Sequence, residues 1–146
     1  MKSLNNILSL VVVAGLFTFM DCGSGGNETA KDKAMKLLMS KTWTVESATV
    51  PSSTATEESD WQNFTVKFSN TYMTTAGHPT GASYVWPSGT YTLSDDGKTI
   101  SRSDGVDITV ITLTESAFSV TFTVPAGTVL GGRVAALDGD YTFNMK

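Results

Sequence analysis

In Phe118-Ser119-Val120-Thr121-Phe122-Thr123-Val124 every second residue is apolar, and every residue between them carries a hydroxyl. On a helix these apolar side chains would scatter around the axis. On a strand they all fall on one face. The same period of two recurs on either side. Val106, Ile108 and Val110 alternate with Asp107 and Thr109, and Tyr91 and Leu93 with Thr90 and Thr92. Phe64, Val66 and Phe68 alternate with Asn63, Thr65 and Lys67. Trp43, Val45 and Ser47 alternate with Thr42, Thr44 and Glu46, and Tyr141, Phe143 and Met145 with Thr142 and Asn144. Threonine on the second face suits a solvated sheet surface. The pattern predicts an all-β fold of antiparallel strands with one apolar face and about eight strands in all. Helical crossovers, which parallel strands need, are not visible.

Between the strands, Ser94-Asp95-Asp96-Gly97-Lys98 and Ser103-Asp104-Gly105 read as short hairpin turns, so Ser88 to Val124 reads as a meander. Two longer loops interrupt, Pro51 to Asp60 and Ala76 to Pro87. Ahead of the first strand, Ala34, Leu37 and Leu38 fall at i, i+3 and i+4, and Thr29 with Asp32 forms a capping pair. These predict one short helix over Lys31–Ser40, too short to stand without packing on the sheet.

The N-terminal residues have a different character. Lys2 precedes an uncharged, largely apolar stretch of 14 residues, Ile7 to Met20. As a helix it would reach ~21 Å, short of a ~30 Å hydrocarbon core, so it reads as an export signal. Phe19-Met20-Asp21-Cys22-Gly23-Ser24-Gly25-Gly26 follows, and it resembles the cleavage box of bacterial lipoproteins, with Asp21 before the cysteine where a small residue is usual. Cys22 is the only cysteine of the 146 residues, so no disulfide can form within the chain. The expected organisation is a signal peptide over 1–21, a Gly/Ser-rich tether over 22–30 beginning at an acylated Cys22, and one β domain over 31–146. Net charge is −4 with no run of Lys and Arg, which disfavours nucleic acid as a partner.

Four segments together resemble the small lipocalin-like lipoproteins of Gram-negative bacteria. They are Leu38-Met39-Ser40-Lys41-Thr42-Trp43; Ser88-Gly89-Thr90-Tyr91-Thr92-Leu93 with Asp95-Asp96-Gly97-Lys98-Thr99-Ile100; Phe118 to Val124; and Gly131-Gly132-Arg133 running to Gly139-Asp140-Tyr141-Thr142-Phe143. Lys41 stands where that family carries glycine. Periodicity alone leaves barrel and sandwich open. The resemblance implies an antiparallel up-and-down β-barrel with a helix plugging one end, tethered in the cell envelope at the outer membrane. It also implies that Arg133 covers the face of Trp43.

Little in the sequence points to catalysis, metal or cofactor. His78 is the only histidine, and it precedes Pro79 in a loop, where solvent exposure is expected. Glu57, Glu58, Asp60, Asp95, Asp96, Asp138 and Asp140 lie in turns and loops, where turn chemistry accounts for them. Trp61, Tyr84 and Trp86 fall in or beside loops, where they would rim a mouth or pack over the barrel end. Two functions follow from a closed barrel. In the first, a small apolar ligand lies against the inward residues Phe68, Tyr91, Phe122, Tyr141 and Phe143, with the Tyr91 and Tyr141 hydroxyls orienting a polar end. No charge interrupts the apolar positions of the clearest strands, so an anionic ligand would lack a partner there. In the second, the core is filled and the long loops carry an interaction.

Overall fold

A computed structural model describes residues 27–52, 54–126 and 137–146. The described residues open with a helix, α1 (Ala30–Met39), capped as its sequence predicts. The Thr29 hydroxyl accepts from the Asp32 N–H at 3.1 Å, and the Asp32 carboxylate accepts from the Thr29 N–H at 3.1 Å. The Thr29 hydroxyl also donates to the Asp32 carboxylate at 2.8 Å, and this bond, followed by the one from the Thr29 N–H, holds the Asp32 carboxyl below its ordinary pKa. Thr29 and Ala30, expected as the end of the tether, therefore belong to the helix. The expected signal peptide, Cys22 and Arg133 lie outside the described residues.

Among the described residues eight strands follow: β1 (Thr42–Thr49), β2 (Thr65–Phe68), β3 (Tyr72–Ala76), β4 (Gly89–Leu93), β5 (Thr99–Arg102), β6 (Asp107–Leu113), β7 (Phe118–Val124) and β8 (Gly139–Met145). Each pairs antiparallel with the next, and β1 pairs with β8, so the sheet closes into an up-and-down barrel. This is the architecture that the resemblance implied. Closure gives every described strand a paired neighbour on both sides.

β1 closes the ring by serving two neighbours in turn. Thr42–Thr44 pair with β2, and Val45–Thr49 pair with β8. A register irregularity between Val45 and Ser47 separates the two halves. The extra residue turns Ser47 outward and brings Ala48 into the core, against the simple alternation in which Ser47 shared the face of Trp43 and Val45. A similar shift between Val110 and Thr112 turns Thr112 outward beside the exposed Ile111 and brings Leu113 toward the core.

α1 lies across the end of the barrel where β1 begins, burying Ala34 and Leu38. The Trp43 indole N–H donates to the Leu38 carbonyl at 3.0 Å, tying the helix to the first strand. Gly97, in the β4–β5 turn, meets the helix so closely that a Cβ there would stand 2.7 Å from the Ala34 Cβ, and its φ of +70° is itself a left-handed conformation. At the opposite end a 3-10 turn, Glu58–Trp61, and the Gly77–Ser88 loop fold over the mouth.

Candidate functional site

The barrel interior is occupied by its own aromatic side chains, in two connected groups. Near α1, Phe68 packs edge-on to Tyr91 and Phe118 at centroid separations of 5.3 and 5.8 Å, and Trp43 lies 5.3 Å from Phe118. Toward the mouth, the Phe122 ring lies nearly parallel to those of Tyr141 and Phe143, at 5.6 and 5.9 Å. All five expected ligand-lining residues thus point inward as the alternation requires, and all are buried.

Two loop tryptophans complete the filling. Trp86 enters from the β3–β4 loop and reaches Phe64, Phe122 and Phe143 at 5.4–5.7 Å. Trp61, from the 3-10 turn, sits edge-on to Phe143 at 5.0 Å and Tyr141 at 6.1 Å. Both are fully buried, so of the two expected placements they take the packed one and do not rim the mouth. Edge-to-face and offset pairs of this kind add ~0.5–1.5 kcal/mol each beyond area burial. Loop position concealed their role, because nothing in the local period marks a side chain that folds back into a barrel.

The polar atoms of this core are largely committed to the protein. The Tyr91 hydroxyl donates to the Ser69 carbonyl at 2.6 Å, and that of Tyr141 to the Leu137 carbonyl at 2.9 Å. The two hydroxyls expected to orient a ligand thus fasten turns to the barrel. The Trp86 N–H points to the Met73 sulfur at 3.3 Å. Two buried polar atoms, Trp61 Nε1 and Thr56 Oγ1, have no hydrogen-bond partner among the described residues.

Burial raises the pKa of the Tyr91 phenol to about 12, and that of Tyr141 further still. In the unfolded chain both would ionise near ~10. Above that pH the unfolded state holds fewer protons than the folded one, so stability must fall as pH rises. Urea unfolding between pH 9 and pH 11.5 should show a loss of up to ~1.4 kcal/mol per pH unit for each tyrosine. The slope should be smaller in Tyr91→Phe. A flat profile would contradict the buried placement.

His78 departs from the expected exposure. It is half-buried, its ring lies 5.0 Å from Phe64 and 6.4 Å from Trp61, and Nε2 is 2.8 Å from the Trp86 carbonyl. A carbonyl only accepts, so Nε2 carries the proton. His78 therefore holds the Trp86 loop in place. Outside it, Thr56, Asp60, Thr80 and His78 line an open polar concavity of about 430 Å³.

Arg102 was not foreseen. It follows Ile100 at the inward position of β5, a strand outside the clearest alternating ones, and is only 5% exposed. Its guanidinium donates to Asp104 through Nε, at 3.0 Å, and through a second, shorter contact from Nη2. Nη1 donates to the Val85 carbonyl at 2.8 Å, and the group lies 5.7 Å from the centre of Phe122. The signal was available in Thr99-Ile100-Ser101-Arg102, whose alternation puts Arg102 with Ile100, and in Asp104 two residues on. The charge is satisfied by its own turn and loop, which anchors Trp86 from a second side.

At the closed end Lys41 places its ammonium 4.5 Å from the centre of the Trp43 ring. Lys41 thus supplies a cation–π contact to the tryptophan that Arg133 was expected to cover. No known family profile matches the chain, and no curated protein is significantly similar to it.

Proposed function

We propose that this chain is an exported, acyl-anchored β-barrel of lipocalin-like form whose interior is a structural core, and whose work is an interaction made by its outer surface and long loops. One observation carries this reading. The side chains that would line a ligand cavity touch one another, with Trp61 and Trp86 filling the space between them. An eight-stranded barrel has room either for its side chains or for one small ligand. A carrier would have to expel both tryptophans, break the His78 and Arg102 contacts that hold the Trp86 loop, and redirect two tyrosine hydroxyls. Anchoring rests on the sequence: the apolar stretch Ile7–Met20 is followed, after Asp21, by Cys22 and a Gly/Ser-rich segment. Stable attachment needs more than one acyl chain or a second membrane contact.

Two measurements test this. Titration with apolar dyes and fatty acids, followed by tryptophan fluorescence, should show no saturable binding below ~100 μM, an affinity worth only about −5.5 kcal/mol. Tight binding of any of them restores the carrier reading. Separately, Cys22→Ser should move the protein from the membrane to the soluble fraction, and the mature native chain should begin at an acylated Cys22 by mass spectrometry. An unmodified Cys22 removes the anchor.

A further inference from the structure

The charged and apolar surface residues are not spread evenly over the barrel. Lys31, Lys33, Lys36, Lys41, Lys67 and Lys98 all lie on α1 or on the strand ends and turn beside it. Lys146, the remaining described lysine, closes β8 at the same end. Around the opposite mouth lie Glu57, Glu58, Asp60, Asp107, Asp138 and Asp140, while its one described arginine, Arg102, is buried on Asp104. The acids at the α1 end are partly engaged. Asp95, Glu28 and Glu46 pair with Lys31, Lys36 and Lys146, each at 3.4 Å, Asp32 caps the helix, and Asp96 accepts from Ser94 and the Lys98 N–H, while Glu115, in the β6–β7 turn at this end, has no ion pair among the described residues.

The large exposed apolar side chains collect at the same end. Met39 closes α1, Tyr72 opens β3, and Ile111, the most exposed at 58%, stands on the outside of β6. Ile111 borders an apolar groove of about 330 Å³ between helix and sheet, formed with Leu37, Val110 and Leu113. Lys33 and Lys98 flank it, and neither is ion-paired among the described residues. The N-terminal residues join the domain at this end too, directly before Thr29 and the first turn of α1.

We propose that the α1 end is a docking face for an anionic lipid bilayer, with Lys33 and Lys98 against the phosphates and Ile111 and Leu37 in the interfacial apolar layer. The argument is charge complementarity, apolar groups placed between the cations, and a chain that leaves from the same side. A neutral membrane would satisfy the apolar part alone. The acidic mouth is repelled by the same surface, so the barrel stands with its long loops facing away from the bilayer. This deepens the reading of an anchored interaction module, and rests on it for the protein's presence at a membrane. It also supplies the second membrane contact that a lightly acylated chain needs.

The test uses the full chain, extracted from membranes and reconstituted into vesicles of phosphatidylcholine with or without phosphatidylglycerol, some of it brominated in the acyl chains. In Ile111→Trp the added indole should be quenched by brominated lipid in the anionic vesicles, and the quenching should fade at high salt as screening shortens. In Glu58→Trp, at the mouth, it should not be quenched. Adding Lys33→Glu and Lys98→Glu to Ile111→Trp should lower the docked fraction relative to the undocked by roughly fivefold per lysine or more. Urea unfolding of each variant separates lost docking from lost folding. Equal quenching at both ends, or none at Ile111→Trp in folded protein that floats with the vesicles, overturns the docking face. Protein that fails to float with neutral vesicles overturns the acyl anchor instead, and quenching in anionic vesicles would still uphold the face.

Discussion

Trp86→Ala should destabilise the folded protein by about 3–5 kcal/mol in urea unfolding, a large share of the ~5–15 kcal/mol that holds a domain together. The indole touches Phe64, Phe122 and Phe143 at once and is gripped from behind by His78 and Arg102 through the carbonyls of Trp86 and Val85. Phe122 and Phe143 sit on strands and Phe64 directly precedes β2, so they cannot collapse far into the gap, and the variant loses both transfer energy and contacts. The hole should be apolar and dry, and indole added to the variant should bind and restore part of the loss. A loss under ~1 kcal/mol, the range of a surface substitution, would mean that Trp86 covers a hollow and does not fill it.

Gly77→Ala should cost about 3 kcal/mol or more, whereas Gly81→Ala, four residues on, should cost only ~1–2 kcal/mol. Both glycines have left-handed φ, +72° and +79°, so both variants bear the same backbone strain. They differ in surroundings. A Cβ at Gly77 would stand 1.9 Å from the Asn63 carbonyl oxygen, whereas nothing lies within 4 Å at Gly81. Relief at Gly77 would require moving the backbone that carries Phe64 into the core, or displacing His78 from the Trp86 carbonyl. Thermal or urea unfolding of the pair isolates the collision. Equal losses would show that the Gly77 turn is loosely held.

The readable part of the fold was the part with long, uninterrupted alternation. β7 buries every second residue over its seven positions and β8 from Tyr141 to Met145, and the local period suffices. β3 was not marked because, of its five residues, only Met73 is buried. β5 is four residues long and turns an arginine inward, so hydrophobicity breaks where the geometry does not. The bulges in β1 and β6 shift the face of a strand midway, a change set by ring closure and not by the residues themselves. The five expected lining residues were correctly placed inside because inwardness is a strand property. Whether they enclose space was decided by Trp61 and Trp86, which arrive from loops. Their position depends on His78, Gly77 and Arg102, contacts between segments with no mark in the local sequence.

The double service of β1 also has a kinetic side. Its first residues pair with a strand about twenty positions away, but Val45 to Thr49 find their partners in Thr142 to Met145, almost a hundred residues later. The barrel can shut only when the last strand has arrived, and the loop closed in that step carries a high entropic cost in the transition state. Folding should accordingly be slow for a domain of this size, in the millisecond-to-second range of high-contact-order β proteins. Under the proposed export this is useful timing: the segment emerging first has no complete structure to adopt until the whole chain is through.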